Sequence, residues 1–302
     1  MKKILLTGAT GFIGRQVTVE LLNKGYEVFA ISNSSSLPKA KGLVQVKLNL
    51  FDENAIEEFL KEQKFENMIH MAWYLGPKFM SAEANLDWVG ASLNLLKAFK
   101  NNGGEKVLIA GTMSEYDYSY GYLKENTPLN NSSLYGKCKA ALFEASSAYA
   151  KQEGLDFKWA RIFNTYGPNE RQTRLMPSVI CSILKNEDVK LSPCTKTQDY
   201  LHVFDIASGI VSLFESNVQG AVNISSGTPV KLKDIVEKIA QLLDYKGKLL
   251  FGAIPANFDE PFVIGCNEKL KNLGWEQKIS LEEGLKQTIQ WWKEHALEEI
   301  GV

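Results

Sequence analysis

The stretch that most constrains this chain is its beginning. Ile4-Leu5-Leu6-Thr7 has the apolar, branched character of a buried strand, and it runs without a spacer into Gly8-Ala9-Thr10-Gly11-Phe12-Ile13-Gly14. Helical periodicity follows over residues 14–24. Glycines at this G-x-x-G-x-x-G spacing let the backbone turn tightly and approach a pyrophosphate, whose charge then meets the unpaired N–H groups of the first helical turn. Strand, glycine turn and helix in this order open a dinucleotide-binding unit. The first candidate site residues are therefore Gly8, Thr10, Gly11, Phe12, Ile13 and Gly14.

The alternation continues through the first two hundred residues. Strand-like runs lie at 3–7, 27–31, 44–49, 68–71, 106–110 and 158–162, with helix-like stretches at 14–24, 54–63, 84–101 and 134–154. Short buried strands separated by crossover helices imply an α/β fold, a Rossmann-type doubly wound parallel sheet with helices on both faces. Residues 1–165 are expected to form this NAD(P)-binding domain, with 198–221 returning to it as a strand and a helix. Residues 166–197 and 222–302, with helical periodicity at 231–244 and 281–298, are expected to form a smaller C-terminal α/β substrate lobe.

Composition narrows the partners. Thirty-four Lys+Arg against thirty-five Asp+Glu leave a net charge of −1 over 302 residues, whereas a chain that lives on phosphate neutralisation carries a basic surplus. No nucleic-acid partner is expected. No apolar run approaches the length of a membrane span, and the run after Met1-Lys2-Lys3 meets Thr7-Gly8 too soon for a secretory signal. A cytoplasmic protein without a membrane partner is the expectation. Cys138, Cys181, Cys194 and Cys266 are far apart, with no C-x-x-C pair, so they read as reduced thiols rather than metal ligands.

Cofactor choice is written at the end of the second strand, where NAD sites usually place an acid on the ribose 2′-hydroxyl. Here the chain reads Ala30-Ile31-Ser32-Asn33-Ser34-Ser35-Ser36, then Lys39 and Lys41. Hydroxyls, an amide and two lysines suit a 2′-phosphate, so NADP(H) is favoured and NAD(H) remains possible, with Ser32, Asn33 and Ser34 as the discriminating residues. Asp52 matches an adenine-contacting acid only loosely. Farther on, Tyr135 and Lys139 stand four apart at the start of a helix, on one face. A lysine ammonium beside a phenol is expected to lower the tyrosine pKa and ready it for proton exchange with a carbonyl or hydroxyl. Thr112, at the C-terminal end of another strand, brings a hydroxyl to the edge where open α/β sheets bind ligands.

With these pieces the chain resembles the extended short-chain dehydrogenase/reductase family, the NAD-dependent epimerases and dehydratases of nucleotide-linked sugars. The matching residues are Thr7 through Gly14, Thr112 with Tyr116, Tyr135 with Lys139, Arg161-Ile162-Phe163-Asn164-Thr165-Tyr166-Gly167-Pro168, and Asp199-Tyr200-Leu201-His202-Val203-Phe204-Asp205. The resemblance implies a catalytic triad of Thr112, Tyr135 and Lys139, with Tyr135 and Lys139 also touching the cofactor. It implies further cofactor contacts at Asn49, Leu50, Met71, Ala72 and Trp73, and substrate contacts at Thr112, Met113, Asn164, Arg174 and Gln198. It also implies a nucleotide-diphosphate sugar as substrate and a homodimer formed through the helices at 84–101 and 134–154.

Departures from the family pattern refine the expectation. Its 4,6-dehydratases carry Asp-Glu after the catalytic Thr, and this chain has Met113 and Ser114, which do no acid–base work at neutral pH. Gln198 stands where an arginine often pairs with substrate phosphate, leaving Arg171, Arg174 and Lys196 as candidates. Phe251-Gly252-Ala253-Ile254-Pro255, Asp259-Glu260-Pro261 and Leu273-Gly274-Trp275 look like the tail of the 4-ketoreductases that make CDP-abequose and CDP-paratose. The resulting expectation is NADPH-dependent reduction of the C4 ketone of a nucleotide-linked 4-keto-6-deoxy sugar. A 4-epimerase holding NAD tightly is the alternative, and a non-catalytic NADP-sensing protein is the rival from another class. Trp73-Tyr74 and the aromatic run from Tyr116 to Tyr122 are candidates for a sugar-pocket wall. Trp291-Trp292, His70 and His202 are assigned structural roles.

Overall fold

Successive residues of a strand point to opposite faces, so a strand buried on both sides must be apolar throughout. The first strand shows this: Ile4 and Leu6 join one buried cluster and Leu5 another, on the far side of the sheet. In the computed structural model, which describes residues 2–256 and 262–299, the chain forms β1 (Lys3–Thr7), α1 (Phe12–Asn23), β2 (Glu27–Ser32), β3 (Leu43–Lys47), α2 (Glu53–Gln63) and β4 (Asn67–His70). It continues through α3 (Ala84–Asn101), β5 (Lys106–Thr112), β6 (Tyr122–Leu123), α4 (Leu134–Glu153), β7 (Asp156–Ile162), β8 (Asn164–Tyr166), α5 (Leu175–Leu184) and β9 (Val189–Leu191). β10 (Thr197–His202), α6 (Val203–Glu215), β11 (Gly220–Ile224), β12 (Pro229–Lys231), α7 (Leu232–Leu242), β13 (Leu249–Phe251), β14 (Phe262–Gly265), α8 (Glu268–Lys271) and α9 (Leu281–Glu299) complete it.

Seven strands form one parallel sheet in the order β11-β7-β5-β4-β1-β2-β3. The winding direction reverses between β1 and β4, and open α/β sheets bind ligands in the crevice at such a switch point. One face is covered by α1 and α6, through Val17, Leu21, Ile206 and Ile210. The other is covered by α2, α3 and α4, through Ile56, Leu60, Leu95, Phe99 and Leu142. This is the Rossmann-type α/β fold expected. Of the segment expected to return, α6 and β11 join the parallel sheet, and β11 carries it to residue 224, three past the expected end. The expected strand, β10, pairs in a second sheet instead.

Beyond the sheet, α5, α7 and α9 pack around Met176, Ile180, Ile235, Ile239, Leu285, Ile289 and Trp292. The second sheet, β12-β10-β14-β6 with β8 beside β10, links this part to the edge where the parallel strands end, while a separate β13-β9 pair packs onto the same helical cluster. Asp259, Glu260 and Pro261, part of the tail resemblance, lie outside the described residues. Among the described residues no helix is long and apolar enough to cross a membrane.

Candidate active site

The turn after β1 is built for close backbone approach. Gly8 has φ +71, and a Cβ there would stand 2.7 Å from the Ala72 nitrogen. One on Gly14 would fall 2.0 Å from the Gly8 carbonyl oxygen. Gly11 caps α1 with no side chain bonded to the first-turn N–H groups and no acid in that turn. The donors of the helix start are thus left for a ligand, on a turn whose backbone packs too closely for side chains, which suits a dinucleotide pyrophosphate.

Neighbouring strand ends reach the same edge. Thr7 Oγ1 accepts the N–H groups of Met71 and Ala72, both at 3.2 Å, and is hydrogen-bonded to His70 Nδ1 at 2.7 Å. That bond places Met71, Ala72 and Trp73 beside the glycine turn. After β3, Asn49 accepts from Phe51 N, Leu50 is buried, and Asp52 caps α2 by accepting from Ala55 N at 3.1 Å. Asp52 is therefore committed to the helix. After β2, Ser32 Oγ donates to the Ser35 carbonyl, while Asn33, Ser34, Lys39 and Lys41 are exposed. Gln45 pins this loop by bonding both backbone groups of Leu37, at 2.6 and 2.9 Å.

Thr112, Tyr135 and Lys139 come together at the end of β5. Thr112 opens a short 3-10 turn, Met113–Glu115, by accepting from Ser114 N. α4 starts at Leu134 because the Ser133 hydroxyl accepts from Gly136 N at 3.0 Å. Its first turn lies against that 3-10 turn, and a Cβ on Gly136 would fall 1.9 Å from the Ser114 carbonyl oxygen. Glycine there is what lets the start of α4, with Tyr135, lie close against the turn that Thr112 opens. Lys139 Nζ donates to the Ala110 carbonyl at 2.9 Å and lies 3.7 Å over the Trp73 ring.

The electrostatics correct one expectation. Burial pushes the Tyr135 phenol up to about 12, with the Thr112 hydrogen bond and the Arg174 charge opposing and the Glu115 charge adding to it. Lys139 is driven down to about 7 by its own burial. The lysine therefore does not ready a phenolate here. Desolvation outweighs a cation that is itself desolvated and turned toward a carbonyl and a ring.

On the other side of the cleft, Asn164 on β8 pairs with β10, and its Nδ2 donates to the Asp199 carbonyl at 3.0 Å and to Gln198 Oε1 at 3.4 Å. Arg174 caps α5 with its guanidinium half exposed, 3.7 Å from Glu170, whose carboxyl is pushed up to about 8 by burial. Arg171 donates to the Leu75 carbonyl, and Lys196 lies just before β10. Met113 packs against the buried cluster of Tyr116, Leu123, Phe163 and Val263.

The aromatic run divides. Tyr116 is fully buried with its hydroxyl on Asn223 Oδ1 at 2.7 Å, so it belongs to the core and walls no pocket. Tyr120 and Tyr122 are exposed. Trp73 does face the site, as the platform for Lys139. His70 is buried between Thr7 and Ser92, His202 caps α6, and Trp292 is core. All four cysteines are free and buried. Sequence reasoning passed over Glu115, Trp159 and Gly136. A carboxylate three residues past Thr112, in an otherwise uncharged stretch, was the available signal for the first.

Residues 4–225 match the model of the NAD dependent epimerase/dehydratase family. A UDP-glucuronate 4-epimerase of Thermodesulfobacterium geofontis is 28% identical over 320 residues, covering 96% of each chain. A dTDP-6-deoxy-L-talose 4-dehydrogenase (NAD(+)) of Aggregatibacter actinomycetemcomitans is 30% identical over 273 residues, 87% of this chain and 99% of the relative. A CDP-abequose synthase of Salmonella muenchen is 24% identical over 299 residues, 95% of this chain and 97% of the relative. Among solved structures, a UDP-glucose 4-epimerase of Thermotoga maritima with UDP-glucose aligns at a TM-score of 0.88, at 24% identity, over 97% of this chain and 99% of its own. That likeness speaks for the fold alone.

Proposed function

The chain belongs to the NAD dependent epimerase/dehydratase family, and on that footing we propose that it reduces the C4 ketone of a nucleotide-linked 4-keto-6-deoxy sugar with NADPH. The observation that carries this reading is the meeting of Thr112, at the C-terminal end of β5, with Tyr135 and Lys139 of the α4 start, where the two residues after Thr112 offer no acid–base pair. Met113 and Ser114 follow Thr112, and Glu115 is turned into the core against Arg161. Dehydration needs a proton removed and returned by such a pair, and reduction does not.

When bound at the glycine turn, the dinucleotide would supply hydride to sugar C4. The residues of the chain handle the proton. A phenol held at about 12 is protonated at neutral pH, the form a donor needs as charge gathers on the C4 oxygen. Thr112 offers a second hydrogen bond to that oxygen. Lys139, one helical turn on, would hold the nicotinamide ribose, and the charge of Arg174 favours the phenolate left behind. Asn164, Gln198 and Arg174 line the side where the sugar diphosphate would sit.

The NADP reading rests on the β2 loop, which offers hydroxyls, an amide and lysines and no carboxylate. The relative whose name specifies NAD(+) makes NADH the necessary comparison. A 4-epimerase is the second reading, favoured by the similarity to a UDP-glucuronate 4-epimerase. We further propose a homodimer through α3 and α4, where Leu86 is exposed and Phe51 packs edge-on against Trp88.

Incubation with NADPH or NADH and a panel of nucleotide-linked 4-keto-6-deoxy sugars tests the reading. Loss of NADPH matched by a 4-hydroxy product is expected. Inversion at C4 without net cofactor change would make the protein an epimerase, and cofactor binding without turnover would make it a sensor.

A further inference from the structure

Behind the three reacting groups lies a buried charge that the proposed chemistry leaves unused. Glu115 is fully buried. Its Oε1 accepts the Thr112 N–H at 2.8 Å and Trp159 Nε1 at 3.0 Å. Its Oε2 accepts Arg161 Nε at 2.7 Å and shares the indole N–H at 3.1 Å. Arg161, also buried, donates onward from Nη1 to the Tyr116 hydroxyl and the Glu125 carbonyl, both at 3.0 Å. The Trp159 ring lies 6.0 Å from Lys139 Nζ, so one indole touches the carboxylate and faces the lysine. Gly111 permits this assembly: a Cβ there would fall 2.0 Å from Trp159 Nε1 and 2.6 Å from Glu115 Oε1.

Buried ion pairs are often replaceable by apolar packing without loss of stability. Stability alone is therefore a weak reason for one at this spot. We propose that Glu115 is a positioning residue, which clamps the Thr112 backbone through Arg161 and Trp159 and sets a fixed negative charge behind Lys139 that keeps it an ammonium. The role rests on the reading of Tyr135 and Lys139 as reacting groups.

The surroundings of the lysine agree. Burial drives Lys139 to about 7, and the Glu115 charge is what opposes that fall. The other titratable and charged groups facing this cluster are His70 on β4, Tyr135 on α4, Arg161 on β7, and Tyr116 and Glu125 behind Arg161. His70 is held neutral, pushed to about 3 by burial and by Lys139, so it sets no second cation beside the lysine. Near neutral pH Lys139 stands close to its midpoint, where loss of one neighbouring anion changes its charge.

The experiment reads the Lys139 titration directly, by side-chain NMR of Lys labelled with 15N at Nζ and 13C at Cε, assigned with Lys139→Met. Wild type is compared with Glu115→Gln and with Glu115→Gln/Arg161→Met, which removes both charges and leaves none unpaired. The midpoint is expected to fall by on the order of one pH unit in both variants. NADPH-dependent turnover at neutral pH should drop roughly tenfold, with KM for the sugar within about a factor of two. An unmoved midpoint in a folded variant overturns the proposal and leaves a purely structural pair. Should wild type turn over none of the sugars, the reductase reading fails by itself, and the midpoint still decides the role of Glu115.

Discussion

Tyr135 has to give up a proton that burial makes it hold tightly. At about 12 the phenol is a weak acid, so donation becomes favourable only as the C4 oxygen gains charge, which is where a general acid contributes most. Tyr135→Phe keeps the ring contacts with Phe79 and Trp73 and removes the proton. Turnover is expected to fall by a factor on the order of 10²–10⁴, with cofactor affinity by fluorescence titration little changed. Near-wild-type turnover would remove Tyr135 from the mechanism. At this scale the sequence was legible wherever chemistry imposes a spacing, as with Tyr135 and Lys139 one helical turn apart. Glu115 and Trp159 obey no such spacing. They meet because β5 and β7 pair with Gly111 opposite Arg161, a register that three-dimensional pairing sets and local pattern does not reveal.

Among the elements, the docking of α4 governs the site. Gly136 sits where a single added methyl would strike the Ser114 carbonyl oxygen at 1.9 Å, and a backbone atom yields less than a side-chain tip. Gly136→Ala should cost about 1–3 kcal/mol by overpacking and move the Tyr135 turn off Thr112. A drop in turnover much larger than the drop in Tm is expected, with every proposed catalytic side chain still present. Full activity in the folded variant would mean that this contact does not set the geometry. The loop after β2 carries a different prediction. Lys39 and Lys41 are exposed on a segment pinned by Gln45, so Lys39→Glu/Lys41→Glu should fold normally. Its KM for NADPH should rise by roughly tenfold relative to NADH, about 1.4 kcal/mol of lost attraction to a 2′-phosphate. An unchanged ratio would assign cofactor choice elsewhere.

The same contrast explains which elements could be read in advance. The long helices and six of the seven core strands run over enough residues to show their type, and their ends moved by one or two positions, whereas β11 at Gly220–Ile224 was not among the strand-like runs. β6, β8, β9, β12, β13 and β14 have two to four residues each, less than a pattern needs to declare itself. The sheet that links the two parts is built from these pieces. Its partners are distant in sequence, as with β6 and β14.

At the scale of the whole molecule, buried titratable groups tie stability to pH with opposing signs. His70 bridges β1 and α3 through Thr7 at 2.7 Å and Ser92 at 2.8 Å, and burial holds its pKa near 3. His202, capping α6, is lowered to about 4 for the same reason. Each takes up its proton near 6.5 when unfolded, so the neutral buried form contributes fully above that pH. Its contribution falls as pH drops from 6.5 toward the folded value, by up to about 1.4 kcal/mol per pH unit for each histidine. Glu170, raised to about 8, runs the other way: its folded form holds the proton, and that stabilisation is lost as pH climbs from 4.5 to 8. Asp199 and Asp205, also raised by burial, share its sign. Between pH 4.5 and 6.5 the two histidine slopes oppose those of the buried carboxylates, so a variant that removes a single group separates them. His70→Asn isolates one contribution, since the amide can bond Thr7 or Ser92 and takes no proton. The variant should be less stable than wild type at pH 8, and the gap should narrow by roughly 1 kcal/mol for each pH unit below 6.5. A gap that stays constant from pH 8 to 4.5 would show that His70 is not held neutral between the strand that opens the cofactor turn and the helix that covers it.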